Sequence, residues 1–287
     1  MHGLLSIVLT AVVAVQPTPH PANDLAQALQ PVRDAGATAA LVLVRENHLV
    51  RTAAVGVADA ATGRPANAGD HFRAGSVTKT FVATVVLQLV ADRPPQFPAG
   101  TDGHYSSTGY LLLGMIVEKV TGRSLATEIR RRITQPLGLR GTSLAEDTVT
   151  LPAPAMHGYA PGPGADPVDI TQWNPSAAWA AGALVSTLSD LARFYRALLG
   201  GALLPRPQLR QMLTTTDVDG LAYGLGIFKI PTPCGEALGH NGVVFGYVTD
   251  VFTSLDGSRQ VVLAENYYDE GAWRAQESLI GGLLCSN

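Results

Sequence analysis

Lysine is scarce in this sequence: Lys79, Lys119 and Lys229 are the only three, and every other basic residue except the histidines is arginine. Positive charge runs together only at Arg130 to Arg132, and the formal net charge is -3. That balance supplies no field for phosphates, so nucleic acid is not an expected partner. The arginine triplet reads instead as the solvated face and last turn of a helix. Cysteine is almost absent, with Cys234 and Cys285 alone, which excludes a cysteine-built structural zinc site. No cluster of metal ligands is apparent, and no cofactor is expected. Long apolar runs are missing too. The longest near the start, Leu4 to Val15, spans 12 residues, too few for a stable membrane anchor, and no later segment reaches the length of a spanning helix. Charged residues make up only 15% and hydrophobic ones 46% of the 287 residues, a balance that excludes disorder as the main state and suits a packed core.

What is present begins with that apolar run. Proline and polar residues follow it at once, and Val12 and Ala14 supply small residues near a cleavage point. Residues 1–15 therefore read as a signal peptide, although the segment before the run has His2 and no lysine or arginine. The expectation is a secreted, extracellular chain whose residues 16–287 form a single domain. In an exported chain Cys234 and Cys285 pair most simply as one disulfide, worth roughly 4 kcal/mol by loop closure.

Hydrophobic patterning gives the elements. Two apolar runs, Thr38 to Arg45 and Leu49 to Ala58, flank "ENH" and predict a hairpin. The spacing of Phe81, Val82, Val85, Val86, Leu89 and Val90 predicts a buried helix beginning near Ser76, ended by "RPPQFPAG". Further helices are expected from Gly109 to Val120, from Ser124 to Thr134 before Pro136, and after a capping box at Thr187 and Asp190 with Gly200 as the stop. Residues 146–178 read as irregular loop. The chain then returns to strands, "YGLGIFKI", "VVFGYVTDVFT" and "RQVVLAEN", before a helix from about Glu270. Strands at both ends with helices between predict an α+β fold, one antiparallel sheet flanked by helices with a helical lobe inserted.

Within this plan, Lys79 stands in Ser76-Val77-Thr78-Lys79 at a predicted helix start. Three residues make almost one turn, so hydroxyl and amine share a face. A serine hydroxyl needs a base, and a buried lysine loses its proton readily whereas a guanidinium does not. Backbone N–H groups at the helix start, that of Ser76 included, favour an oxyanion beside the serine. Tyr105, just ahead of the next helix, is a candidate proton relay, its phenol expected to be depressed toward phenolate by a lysine ammonium. His240-Asn241-Gly242 opens an apolar stretch, and the N–H of Val243 is the candidate second oxyanion donor. Taken singly, Tyr105 also reads as a core tyrosine and His240 as a turn residue.

With "FRAGSVTKTF", "YSSTGYLLLGMIVEKVTGRSL", "PLGLRGTSL", "WAAGALVSTLSDLARFYRALLGG", "YGLGIF" and "CGEALGHNG" in this order, the chain after residue 37 resembles the penicillin-recognising serine hydrolases. Within them it resembles the secreted D-alanyl-D-alanine carboxypeptidases of the class C beta-lactamase-like branch. The resemblance implies a beta-lactamase/transpeptidase-like fold and an acyl-enzyme mechanism on D-Ala-D-Ala-type peptides or beta-lactams. Ser76 would be the nucleophile, Lys79 part of its base and Tyr105 the proton relay. His240, Asn241 and Gly242 would form the substrate-side strand, Trp179 an aromatic wall, and Lys229 a cation for a terminal carboxylate. Three departures stand out, the mildest being Asn241 in place of the third motif's threonine, where an amide can still donate. Ser107 occupies the place of an asparagine in the second motif, a shorter group unable to donate and accept at the same reach. Only 25 residues separate Lys79 from Tyr105, several tens fewer than the resemblance implies, so a helical lobe shortened between 92 and 104 is expected. A beta-lactamase or esterase of the same fold, and a catalytically impaired penicillin-binding-like protein, stay open as alternatives.

Overall fold

The structure, a computed structural model, describes residues 25–89, 105–162, 166–218, 220–266 and 270–285. The signal-peptide reading of residues 1–15 and the shortened segment 92–104 lie outside these. The expected hairpin is present as β1 (Ala39–Glu46) and β2 (Leu49–Asp59). With β3 (Arg64–Pro65) it forms one side of a sheet whose other strands come from the end of the chain. Those are β9 (Thr216–Val218), β10 (Leu221–Tyr223), β11 (Phe228–Thr232), β12 (Gly235–Val244), β13 (Tyr247–Ser254) and β14 (Arg259–Glu265). The order is β3-β2-β1-β14-β13-β12-β11-β10-β9, and all neighbours run antiparallel.

Both faces of this sheet are covered, which is why β1 reads as a continuous apolar run rather than an alternating one. Ala39, Leu41 and Leu43 join one core and Ala40, Val42 and Val44 the other. The second core lies under α1 (Leu25–Ala28), α2 (Gln30–Asp34) and the closing α10 (Glu270–Cys285). Cys285 at the end of α10 is disulfide-bonded to Cys234, which fastens that helix to the β11–β12 turn.

The first core holds the helical part: α3 (Thr78–Leu89), α4 (Ser107–Thr121), α5 (Leu125–Ile129), α6 (Gln135–Leu137), α7 (Trp179–Gly182), α8 (Leu188–Leu199) and α9 (Arg206–Leu213). Ser124 and Thr187 cap α5 and α8 as their sequence positions predict, accepting from Thr127 N and Asp190 N. A three-stranded sheet of β4 (Phe72–Arg73), β5 (Ser143–Leu144) and β8 (Leu184–Ser186) joins this half together.

Five local expectations are corrected, the first being that "YGLGIFKI" is not one strand, since β10 ends at Tyr223 and β11 begins at Phe228. The helix after Ser124 does not stop before Pro136. It widens to a π-turn over Arg130–Thr134 and continues through Pro136, at the start of α6 where a missing N–H is harmless, to a left-handed Gly138. Arg131 and Arg132 of the triplet are not merely solvated, since with Arg123 they converge on the buried Glu128 carboxylate. Residues 146–178 are not wholly irregular, because β6 (Tyr159–Ala160) and β7 (Val168–Asp169) pair there. Finally, "VVFGYVTDVFT" is not one strand. Gly246, at φ +75° and packed on the backbone of Gly158, turns the chain between β12 and β13. A side chain there would be both strained and in collision. His240 accordingly lies within β12 rather than ahead of a strand.

Candidate active site

Ser76 lies in a short 3-10 turn, Gly75–Val77, that runs directly into α3. Thr78 pins this turn: its hydroxyl donates to Gly75 O at 2.6 Å and accepts from Leu184 N at 3.0 Å. Two glycines bring the turn against β12. A Cβ on Gly75, which sits at φ +52°, would lie 2.9 Å from Val243 N, and one on Gly242 would lie 2.1 Å from Ala74 O and 3.0 Å from Ser76 N. Backbone thus meets backbone without side chains between, and the N–H groups of Ser76 and Val243 belong to the two segments in contact. On this side β12 outruns β11, whose pairing ends at Phe228 with Gly239.

Lys79 is almost fully buried. Its Nζ donates to Ser76 Oγ at 2.9 Å and to Ala181 O at 2.8 Å. Burial pulls its pKa down to about 8, because a desolvated ammonium is disfavoured, and no carboxylate among the described residues forms an ion pair with it. The ammonium instead sits 5.0 Å from the Tyr105 ring centroid and 5.6 Å from that of Tyr110.

Tyr105 is hydrogen-bonded to Ser76 through its side chain, so the three predicted groups converge. Its protonation differs from expectation. Burial raises the phenol pKa, outweighing the lowering by the Ser76 hydrogen bond, so Tyr105 is a neutral donor and not a phenolate. The ring stacks with Phe228 and meets Tyr223 edge-on at 5.5 Å.

The third segment departs further from its sequence reading. His240 is fully buried behind Tyr105, and burial lowers its pKa to about 3, so the imidazole is neutral. Its Nδ1 faces Asn241 O, an acceptor, and must carry the proton. Nε2 therefore accepts from the Tyr223 hydroxyl at 3.2 Å. Since Tyr223 and Tyr110 are also hydrogen-bonded, Tyr110 must donate to Tyr223. His240 thus terminates a buried chain of donors and does not face open cleft. Asn241, expected on the substrate side, lines a cavity with Asp250, Phe252 and Ile280 on the opposite face of the sheet, because strand side chains alternate. Only Gly242 of the three abuts the Ser76 turn.

Among the remaining expected residues, Lys229 is ion-paired with Glu236 at 3.5 Å, toward the β11–β12 turn. Ser107 is exposed at the first turn of α4, whose cap is Ser106. Trp179 is partly buried, with its ring against Gly114 of α4, where a Cβ would lie 3.0 Å from its Cη2. It therefore joins α7 to α4 instead of standing free as a wall. Its φ of +28° is strained for a bulky side chain, two residues before the carbonyl that holds Lys79. Sequence reasoning missed Ala181, Tyr110 and Tyr223. A backbone carbonyl leaves no sequence signal, whereas a tyrosine hydroxyl at an apolar helix position, as at Tyr110, is a legible one.

A model of the beta-lactamase family matches residues 25–93 and 90–270. Penicillin-binding protein 4 of Amycolatopsis lactamdurans is 32% identical over 120 residues, 42% of this chain and 32% of its own length. A D-aminopeptidase of Cereibacter sphaeroides is 26% identical over 213 residues, 72% of this chain and 40% of its own length. The chain thus spans well under half the length of these curated relatives. Among solved structures, a D-stereospecific amidohydrolase from Streptomyces sp. is similar with a TM-score of 0.79 at 26% identity, covering 92% of this chain and 99% of that one. The D-amino acid amidase from Ochrobactrum anthropi SV3, complexed with D-phenylalanine, shares the fold with a TM-score of 0.79 at 22% identity, covering 92% and 100%.

Proposed function

This chain belongs to the beta-lactamase family of serine hydrolases, and from that premise we propose that it cleaves amide bonds on the carbonyl side of a D-configured residue through an acyl-enzyme on Ser76. The observation that carries the reading is the contact of the buried, uncompensated Lys79 with Ser76 Oγ at 2.9 Å. Neutral Lys79 takes the Ser76 proton as Oγ attacks the carbonyl carbon. The N–H groups of Ser76 and Val243 hold the resulting oxyanion. As the C–N bond breaks, the Tyr105 phenol gives its proton to the departing nitrogen and takes one back from Lys79. Water then attacks the ester, passing its proton by the same groups back to Ser76 Oγ.

The names of the relatives, D-aminopeptidase, D-stereospecific amidohydrolase and D-amino acid amidase, support the D-configuration. A D-alanyl-D-alanine carboxypeptidase would use the same Ser76, but its substrate leaves with a carboxylate that wants a cation. Lys229 is ion-paired with Glu236 and His240 is neutral, which favours a leaving amine without a carboxylate, such as the ammonia of an amino-acid amide. The Cys234–Cys285 disulfide supports our further proposal that the chain works outside the reducing cytoplasm.

The test is intact mass after incubation with a penicillin and, separately, release of D-amino acid from D-amino-acid amides, with Ser76→Ala as control. We expect a covalent adduct and turnover, both lost in the control. A folded protein giving neither, or an adduct that survives in Ser76→Ala, overturns the assignment.

A further inference from the structure

Past Val243 the end of β12 opens on a cavity of about 460 Å3. Val243, Phe245 and the turn that follows form one side, and Tyr159, Pro161 and Ile170 around the β6–β7 hairpin form the other. Among the described residues no charged side chain lines it, and its one side-chain polar group, the Tyr159 hydroxyl, accepts from Ala60 N at 2.7 Å. The cavity therefore offers an ionised group no charged side-chain partner.

Phe245 is the unusual residue here. It is 67% exposed, at a turn where a polar residue would serve as well, yet it is held in place. Trp173 meets it edge-on with ring centroids 5.4 Å apart, and Trp173 is itself fixed by the buried Arg73 guanidinium 4.9 Å from its ring. Behind it the turn is locked by the Gly246 contact with Gly158. A braced aromatic ring left open to water is a surface awaiting an apolar partner.

Its position relative to Ser76 says which part of a substrate reaches it. Val243 N abuts the Ser76 turn, and Phe245, in the turn two residues on, lies at most roughly 7 Å further along the chain. A side chain on the carbon next to the attacked carbonyl starts about 1.5 Å from the reacting centre, so a benzyl or isobutyl group spans the interval and a methyl does not. Resting on the Ser76 reading above, we propose that this cavity receives the acyl-side side chain. The preferred substrates are then amides or short peptides whose reacting residue is aromatic or branched aliphatic, rather than D-alanine.

The test compares D-phenylalanine, D-leucine, D-alanine, D-glutamate and D-lysine p-nitroanilides with the wild-type chain, Phe245→Ala, Ile170→Asp and Ser76→Ala. We expect kcat/KM for the first two to exceed the others by about 10-fold or more. Phe245→Ala should remove most of that advantage by lowering kcat/KM for D-phenylalanine and D-leucine far more than for D-alanine, and Ile170→Asp should shift preference toward D-lysine p-nitroanilide. Equal rates across the panel, or a Phe245→Ala variant that loses all substrates alike, overturn the inference. Turnover surviving in Ser76→Ala overturns the serine reading instead. If the wild-type chain turns over none of these substrates, calorimetric titration of Ser76→Ala with D-phenylalaninamide and D-alaninamide decides. Affinity at least about 10-fold tighter for the former, and lost with Phe245→Ala added, supports the cavity assignment; equal affinity or none overturns it.

Discussion

Helices α3 and α4 stand side by side at the candidate site and are similarly rich in apolar residues, yet nine of the 12 residues of α3 are buried and only Gly114 and Val117 of the 15 in α4. In α3 the apolar residues pack into one core between α4, α5 and α7, with Phe81 stacked on Phe194 of α8. In α4 the stripe of Leu112, Met115, Ile116 and Val120, one helical face by spacing, is more than half exposed. The nucleophile and its base are thus built into a closed core, while the helix that follows Tyr105 is a thin outer wall. Chemistry demanding a dehydrated lysine belongs on the first; the second sets how open the cleft is to water and substrate.

Substitutions sharpen that contrast. The largest effect is expected from Lys79→Arg, which keeps the charge but removes the group that gives up its proton. Acylation by a penicillin, followed by mass spectrometry, should slow by about 1,000-fold or more. Phe81→Ala, stacked on Phe194 inside the α3 core, should destabilise the fold by about 3–5 kcal/mol in urea unfolding. Tyr105→Phe removes only a proton donor on the outer side, so acylation should fall by about 100-fold with unchanged unfolding. On the outer face of α4, Met115→Ala should change stability by less than about 0.5 kcal/mol; a loss like that of Phe81→Ala would mean that the face is covered in solution.

Acidity separates the two sides as well. The acylation rate should rise with pH through about 8, where Lys79 becomes neutral, and Tyr105→Phe should keep that midpoint because the lysine, not the phenol, sets it. The folded Lys79 pKa lies below its ordinary 10.5. Between about 8 and 10.5 the unfolded chain therefore holds more protons, and Lys79 makes stability rise with pH there. His240 acts in the same direction at lower pH. Its proton affinity is suppressed by burial, so its contribution is present above 6.5 and lost as pH falls toward about 3. A rate profile flat from pH 6 to 10, the outer limits being about two units either side of that midpoint, contradicts the base assignment.

Much of this was readable in one dimension. Period and caps determined the β1–β2 hairpin, α3 and α8, because apolar spacing and side-chain caps are local physics. The serine to lysine spacing determined that Ser76 and Lys79 meet, since one helical turn decides it. Other features needed the folded chain. Whether a tyrosine beside a lysine is phenol or phenolate depends on how far each is desolvated, and burial kept Tyr105 neutral. Which face of β12 Asn241 takes follows from the pleat once pairing with β13 is set. The turn at Gly246, and with it the exposed Phe245, arises from contact with Gly158, 88 positions earlier. The fate of the apolar residues of α3 and α4 was decided last, because hydrophobicity says that a residue gains from burial and only tertiary packing says whether a partner arrives.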